Sequence, residues 1–289
     1  MEKYFVLYNP LSKNNKGKEN AEKLKDILND KELFFYDITK IEDYNNFFKN
    51  TIEQNNIILC GGDGTINRFA NNIKDLSIKN NIYYFATGTG NDFLNDIKNN
   101  KNETINNSIY LINKYLQNLP TVIVNNKEYK FINNVGYGID GYCCEVADKK
   151  KLKSNKSANY TAIALKGLFY DYRPTKAKID VDGQKYEIDK VWLCPTMNGK
   201  YYGGGMMAAP GQDRLNNDHT VSTVVMHGFG RLHTLVAFPS IFKGNHVKNK
   251  KLVNVLTGKH ITVEFDRPTA LQIDGETILN VKKYEVICN

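Results

Sequence analysis

IILCGGDGTINRFANNI, residues 57–73, decides how this chain is read. Ile57–Cys60 is a short apolar run of the kind buried in a sheet, and Ile66, Phe69, Ala70 and Ile73 fall on one face of a helix. Between them stand Gly61-Gly62-Asp63-Gly64-Thr65. Glycines here let backbone N–H groups come close to a ligand, and the helix start adds the positive end of its dipole. Both features suit a phosphate. A carboxylate in the loop would repel that phosphate unless a cation stood between them, so Asp63 implies Mg²⁺ held directly or through water. The plain alternative is a tight strand-to-helix turn with Asp63 near the N-cap.

The same rhythm extends on both sides. Tyr4–Tyr8, Leu33–Ile38 and Ile82–Phe85 read as further buried strands. Ala21, Leu24, Ile27 and Leu28 share one helix face, and Tyr44, Phe47 and Phe48 share another. Strands alternating with helices predict a three-layer α/β domain around a parallel sheet, with ligands at the carboxyl ends of the strands. Two more strand ends carry loops of the right kind. Ile82–Phe85 runs into Thr87-Gly88-Thr89-Gly90-Asn91-Asp92-Phe93, and the first strand runs into Asn9-Pro10-Leu11-Ser12. Together the three loops would wall one nucleotide.

After Pro120 the pattern turns to short β-rich segments separated by Gly, Asn and Asp. Asp182-Gly183 has the composition of a two-residue hairpin turn. Helical stretches interrupt near Ala158–Tyr170 and Gly230–Phe242. The boundary is therefore set at Pro120: 1–120 an α/β domain, 121–280 a mostly β domain of sandwich or open-barrel type.

Composition agrees with two soluble domains: 289 residues, 41% hydrophobic and 24% charged. A disordered chain is excluded. No apolar stretch approaches the roughly 20 residues of a membrane span, and MEKYFVLYNP reads as a first strand, not as a signal peptide. Five cysteines without a C-x-x-C pattern indicate a reduced, cytosolic protein. The net charge of +8 favours polyanionic partners. Gly136-Tyr137-Gly138-Ile139-Asp140-Gly141 fits a dinucleotide fingerprint in spacing but lacks the compact βαβ setting that would give it meaning. The five histidines show no metal-ligand spacing.

The motifs taken together resemble the diacylglycerol kinase catalytic-domain family of lipid kinases, which includes sphingosine kinases and soluble bacterial diacylglycerol kinases. The likeness runs in order from the early Asn-Pro through GGDGT (61–65), GTGNDF (88–93), NVGYGID (134–140), YGGGM (202–206) and GNH (244–246) to LQIDGE (271–276). It implies an N-terminal nucleotide-binding domain, a β-sandwich-like C-terminal domain and an active-site cleft between them. It also leaves open that 281–289 return to the first domain. It further implies that Asn9, Pro10, Ser12, Thr39, Gly61, Gly62, Asp63, Gly64, Thr65 and Thr89 contact ATP, with Gly88, Gly90, Asn91 and Asp92 in the adjoining loop. Asp63 would organise Mg²⁺.

Asp274 and Glu276 match the positions of the catalytic base, and a carboxylate within hydrogen-bond reach could take the proton of a lipid hydroxyl. Strand alternation would place both on one face, whereas the intervening Gly275 would make this another Asp-Gly hairpin. A second Mg²⁺ site is implied at Asp218 with the carbonyls of Leu215 and Thr220. Several positions depart from the family pattern. Lys13 stands where a glycine is usual and Arg68 where a glutamate is usual. His219 replaces a glycine, and Gln212 and Ser222 are also altered.

The resemblance implies ATP-dependent phosphorylation of a lipid alcohol, diacylglycerol first, by a cytoplasmic protein peripheral at the inner membrane face; a homodimer stays open. Lys149–Lys151 with Lys153 and Lys156, and Lys248 with Lys250 and Lys251, lie beside aromatic segments and would suit anionic lipid. Nothing points to nucleic acid. An NAD kinase-like enzyme and a non-catalytic lipid- or nucleotide-binding protein are the alternatives.

Overall fold

The computed structural model describes residues 1–49, 55–88, 90–100, 103–153 and 160–288. They fall into two compact units, Met1–Gln117 and Asn118–Asn289.

The first unit is built on β1 (Lys3–Tyr8), β2 (Glu32–Asp37), β3 (Asn56–Gly61), β4 (Ile82–Ala86), β5 (Thr104–Ile105) and β6 (Ile109–Leu111). The order is β2-β1-β3-β4-β6-β5. β2, β1, β3 and β4 run parallel, while β6 and β5 are antiparallel to their neighbours. All six residues of β3 are buried, which is why Ile57–Cys60 within it is an unbroken apolar run. Ile58 and Cys60 point to a core shared with Val6, Ala21, Leu24 and Leu28. On the other face Tyr84 meets Phe93, with ring centroids 5.9 Å apart. The expected α/β layering is thus present. The β5–β6 hairpin was invisible in the sequence, since strands of two and three residues carry no periodicity.

In this order the chain leaves β1 to one side for β2 and crosses back to the other for β3. The connections therefore diverge between β1 and β3, and a crevice opens at their carboxyl ends.

The second unit is antiparallel and sandwich-like. Its strands are β7 (Thr121–Val124), β8 (Lys127–Lys130), β9 (Asn134–Tyr137), β10 (Thr175–Val181), β11 (Gln184–Val191), β12 (Thr196–Met197), β13 (Val221–Met226), β14 (Val253–Gly258), β15 (His260–Ile273) and β16 (Glu276–Ile287). The main path is β14-β13-β12-β9-β15-β16-β7-β8, with β10 paired to β15 and β11 to β10. Around Pro268, which has no N–H to give, β15 shifts register between Glu264 and Thr269. Its first half pairs with β10 and its last residues with β9, so one strand serves both parts of the sandwich. Val122, Val135, Ile179, Val263 and Tyr284 fill the space enclosed.

Helices Ile139–Lys153, Tyr160–Lys166 and Arg231–Ala237, with a π-helical turn at Gly167–Asp171, form a second core against Trp192 and Met226. Residues 158 and 159 of the expected first helical stretch lie outside the described residues. The helix at 139–153 was not assigned from sequence. Its buried face is Ile139, Cys143 and Ala147, too small and too glycine-flanked to give a strong apolar stripe.

The suggested return of 281–289 to the first unit does not occur over residues 281–287. They complete β16, paired with β15 and with β7 inside the second sheet, and their alternating Val281, Tyr284 and Val286 are core residues there.

Candidate active site

The loops after β1, β3 and β4 converge on the crevice. Asn9 N–H donates to Cys60 O (3.1 Å), and Asn9 Nδ2 donates to Thr65 Oγ1 (3.3 Å). Ser12 Oγ donates back to Asn9 O at 2.9 Å, closing the first loop. That loop departs from the expected pattern in a physically readable way. Lys13, Asn14 and Asn15 all take left-handed backbone, with φ of 49°, 58° and 67°, a conformation natural to glycine. Gly17 supplies the close approach, since a Cβ there would lie 1.8 Å from Asn9 O. Thr39 closes the turn after β2, giving its N–H (2.9 Å) and hydroxyl (2.7 Å) to Asp37 Oδ1.

The second and third loops pack backbone to backbone. Thr87 and Gly88 N–H both donate to Gly61 O, at 2.9 and 3.0 Å. A Cβ on Gly88 would lie 2.4 Å from the Gly62 Cα, so these two glycines are required by the contact itself. Tyr84, kept protonated by burial, donates its hydroxyl to Gly61 O (3.1 Å) and reaches Asn91 Oδ1 (3.3 Å). Asp63 ties the pair together: its Oδ2 accepts from Asp92 N–H (2.8 Å) and Phe93 N–H (3.4 Å). The sequence alternative of an N-cap is thus partly right, but the helix capped is the next one, Asp92–Ile97.

The helix Asp63–Ile73 starts at Gly62 without any side-chain cap. Its first N–H groups are therefore those that an anion would satisfy. Cβ atoms at Gly64 and Gly90 would meet nothing within 4 Å, so there is room beside both loops. Thr89 lies outside the described residues. Among the described residues no group of three or more His, Cys, Asp or Glu could hold a metal. One or two carboxylates plus substrate phosphates are the usual Mg²⁺ set in phosphoryl transfer, and Asp63, between the two loops, can supply one of them.

The loop at Leu215, Asp218 and Thr220 does not fit a cation. The Thr220 carbonyl accepts from Gln212 Nε2 (2.8 Å) and Asn216 Nδ2 (2.9 Å), so amide N–H groups stand where a metal would need the oxygen. Ser222 Oγ donates to Gln212 Oε1 at 2.7 Å and fixes that amide. The altered positions Gln212 and Ser222 thus close the loop by hydrogen bonds.

In the second unit, Asp274-Gly275 forms the two-residue turn between β15 and β16, with φ of 46° and 95°. Asp274 and Glu276 therefore do not alternate along one strand. The Asp274 carboxylate reaches three backbone donors: Ile132 N–H (2.6 Å) on Oδ2, and Asn133 (2.8 Å) and Asn134 (2.9 Å) on Oδ1. Asp182-Gly183 is built the same way, with φ of 51° and 89°. There the Asp182 carboxylate accepts from Lys259 and His260 N–H. Glu276, just past the turn, is exposed.

One functional-looking group went unread in the sequence. Asp140 is buried at the start of the helix 139–153, where Tyr202 hydroxyl donates to its Oδ1 at 2.8 Å. It joins the NVGYGID and YGGGM segments. Its only sequence signal is an acid inside an apolar, glycine-rich run. Burial pushes its carboxyl from 3.8 up to about 7, and the Tyr202 bond opposes this in part. Well below pH 3.8 folded and unfolded chains both hold the proton. As pH rises towards 7 the unfolded chain ionises first, so stability is lost through that window and levels off above it. Asp140→Asn keeps the acceptor for Tyr202 and cannot ionise. It is expected to be more stable than wild type at pH 8 by up to about 4 kcal/mol, with almost no difference at about pH 3. Thermal melts across about pH 3–8 would check this, and a pH-independent difference would refute it.

Comparison with known proteins follows the division of the chain. The family described as diacylglycerol kinase catalytic domain matches residues 3–122, and that described as YegS C-terminal NAD kinase beta sandwich-like domain matches residues 133–285. A Bacillus subtilis (strain 168) protein named diacylglycerol kinase is 24% identical over 223 residues, covering 76% of this chain and 70% of its own length. A crystal structure of a diacylglycerol kinase from Bacillus anthracis str. Sterne superposes with a TM-score of 0.60 at 19% identity. That superposition covers 99% of this chain and 93% of the other, and establishes the likeness of fold.

Proposed function

This chain belongs to the diacylglycerol kinase catalytic-domain family of lipid kinases, and from that premise we propose that it transfers the γ-phosphoryl of ATP to a lipid hydroxyl, diacylglycerol to phosphatidic acid in the first instance. The observation that carries the reading is Asp63, whose carboxylate bridges two glycine-rich loops beside an uncapped helix start at the crevice of a parallel sheet. In this reading Asn9, Ser12, Thr39 and the loops 61–65 and 88–92 cradle the nucleotide, with Thr65 and Asn9 joined and Pro10 setting the turn. Asp63 would hold Mg²⁺, which when bound neutralises phosphate charge. Glu276 accepts the proton of the lipid hydroxyl. The hydroxyl oxygen bonds to the γ-phosphorus as the bond to the bridging β–γ oxygen breaks, and ADP leaves. Asp274 positions the segment 132–134 and the hairpin that carries Glu276. The protein would work at the cytoplasmic face of a membrane, its substrate being a lipid; no helix among its described residues is long and apolar enough to cross one.

A test incubates the protein with ATP, Mg²⁺ and mixed micelles of diacylglycerol, a sphingoid base and phosphatidylglycerol, with NAD⁺ in a separate arm. Mass spectrometry should find phosphatidic acid. A phosphorylated NAD⁺ and no phosphorylated lipid would transfer the assignment to the NAD kinase-like reading, for which the name of the second matching family is the motive.

A further inference from the structure

From His219 to Val263 the chain has no acidic residue, although it carries 31 elsewhere. The charges in this stretch are Arg231, Lys243, Lys248, Lys250, Lys251 and Lys259. Five of the six lie between 231 and 251, in a helical part of the second unit that also leaves apolar side chains uncovered. On the helix Arg231–Ala237, Leu232 is 73% exposed and Val236, one turn on, is 81% exposed, while Thr234 on the opposite side is fully buried. Phe242 is exposed in the next turn.

The neighbouring π-helical turn offers Phe169 and Tyr170, exposed and stacked on one another with centroids 5.8 Å apart. Arg231 fastens the two elements together by donating to Leu168 O at 2.8 Å. Between the helix 231–237 and the turn 245–252 runs a groove of about 570 Å³, walled by Phe229, Leu232, Val236, Ala237 and Leu252. His246 and Asn249 are among its polar lining.

We propose that this face, with Phe169, Tyr170, Leu232, Val236 and Phe242 at its apolar centre and Lys243, Lys248, Lys250 and Lys251 around it, is the surface by which the protein docks on an anionic lipid bilayer. The inference rests on the lipid-kinase reading for its purpose, but its observations are independent of the nucleotide loops. Contiguous exposed apolar surface marks an interaction site. A mixture of aliphatic and aromatic tips beside long cationic side chains is the pattern of interfacial segments: the tips enter the headgroup boundary and the ammonium groups stay among the phosphates.

Charge complementarity selects a bilayer over a protein or a second copy. None of the four lysines forms an ion pair among the described residues. Together they present diffuse positive charge with no acceptor set to fix a partner's geometry. A second copy would bring the same cations face to face, because a two-fold interface repeats its own patch. Each cation near an anionic surface strengthens binding about fivefold.

The test is co-sedimentation of the full-length protein with phosphatidylglycerol/phosphatidylcholine vesicles and with pure phosphatidylcholine vesicles. Wild type should prefer the anionic vesicles and lose most of that preference at about 0.5 M salt, where exposed charges are screened. Leu232→Ser with Val236→Ser should weaken anionic-vesicle binding about tenfold. Replacing Lys243, Lys248, Lys250 and Lys251 by Gln should remove the preference for anionic lipid.

All these side chains are exposed, so melting temperatures should not move. Turnover of a short-chain diacylglycerol dispersed as monomers should be unchanged, while turnover of vesicle-embedded lipid falls. Unchanged vesicle affinity in both variants would overturn the proposal. So would a dimer in wild type that dissociates in the Leu232/Val236 variant while vesicle binding persists. Failure of wild type to phosphorylate the monomeric lipid would instead count against the kinase reading and leave the sedimentation result standing on its own.

Discussion

Asp63→Asn is expected to lose about a thousandfold in phosphoryl transfer while keeping its melting temperature, a combination that only a charge-dependent role produces. Asp63 does two things with one carboxylate. Its Oδ2 accepts from Asp92 and Phe93 N–H and so caps the helix 92–97. Its negative charge stands between two glycine-rich loops. Asparagine retains an acceptor oxygen and can keep the cap, but it brings no charge to hold a cation against the γ-phosphate.

Asp63→Ala removes both functions, and should add a loss of about 1 kcal/mol of stability for the missing cap. The pair of variants therefore separates roles that a single alanine would confuse. Turnover is to be measured beside nucleotide binding by calorimetry. The Asp63→Asn protein should bind ATP without Mg²⁺ much as wild type does, and should show little of the gain that Mg²⁺ gives. If Asp63→Asn retains a tenth or more of wild-type turnover, the carboxylate is a cap and the Mg²⁺ assignment is wrong.

What the sequence disclosed, and what it hid, follows from the range of each interaction. The GGDGT loop was legible because its signal is local: an apolar strand, three glycines and a helix face lie within seventeen residues. The Asp182-Gly183 turn was legible for the same reason, since two consecutive positive φ angles select Asp-Gly at short range, whereas at Asp274-Gly275 the same signal stood beside a strand reading and only the structure chose the turn. The reach of the Asp274 carboxylate was not legible. Its donors lie 140 to 142 residues away in the chain, and no local rule connects them.

The Asp140–Tyr202 bond spans 62 residues and was hidden likewise. The 212–222 loop is a third kind of case. Its residues showed that the family pattern was broken, but only the placement of Gln212 and Asn216 on the Thr220 carbonyl shows what replaced it. The glycines of the 136–141 run were misleading in isolation. They serve contacts in the second unit, as where a Cβ on Gly141 would lie 1.8 Å from Ala270 O.

The second large effect concerns the two carboxylates at that hairpin, which sequence alone could not rank. Glu276→Gln should lower kcat by about a hundredfold or more, the usual worth of a general base, with stability unchanged because the side chain is exposed. Asp274→Asn should behave differently. Both of its oxygens are occupied by backbone N–H groups, so it is a poor candidate to receive a substrate proton and a good one to hold a turn. An asparagine there fits the left-handed backbone, but its NH₂ must face either Ile132 N–H or the Asn133 and Asn134 pair, donor against donor. One or two charge-assisted bonds are lost, a cost of about 2–3 kcal/mol.

The expected result is a lowered melting temperature together with a partial loss of turnover at temperatures where the variant is still folded. Asp182→Asn supplies the control, since its carboxylate also bonds backbone N–H groups and the kinase reading assigns it no role. If folded Asp274→Asn is inactive while Glu276→Gln works at near wild-type rate, the roles are reversed. The backbone N–H groups of 132–134 would then be the means of holding a catalytic carboxylate in place, in the way that structural donors orient a base in a rigid site.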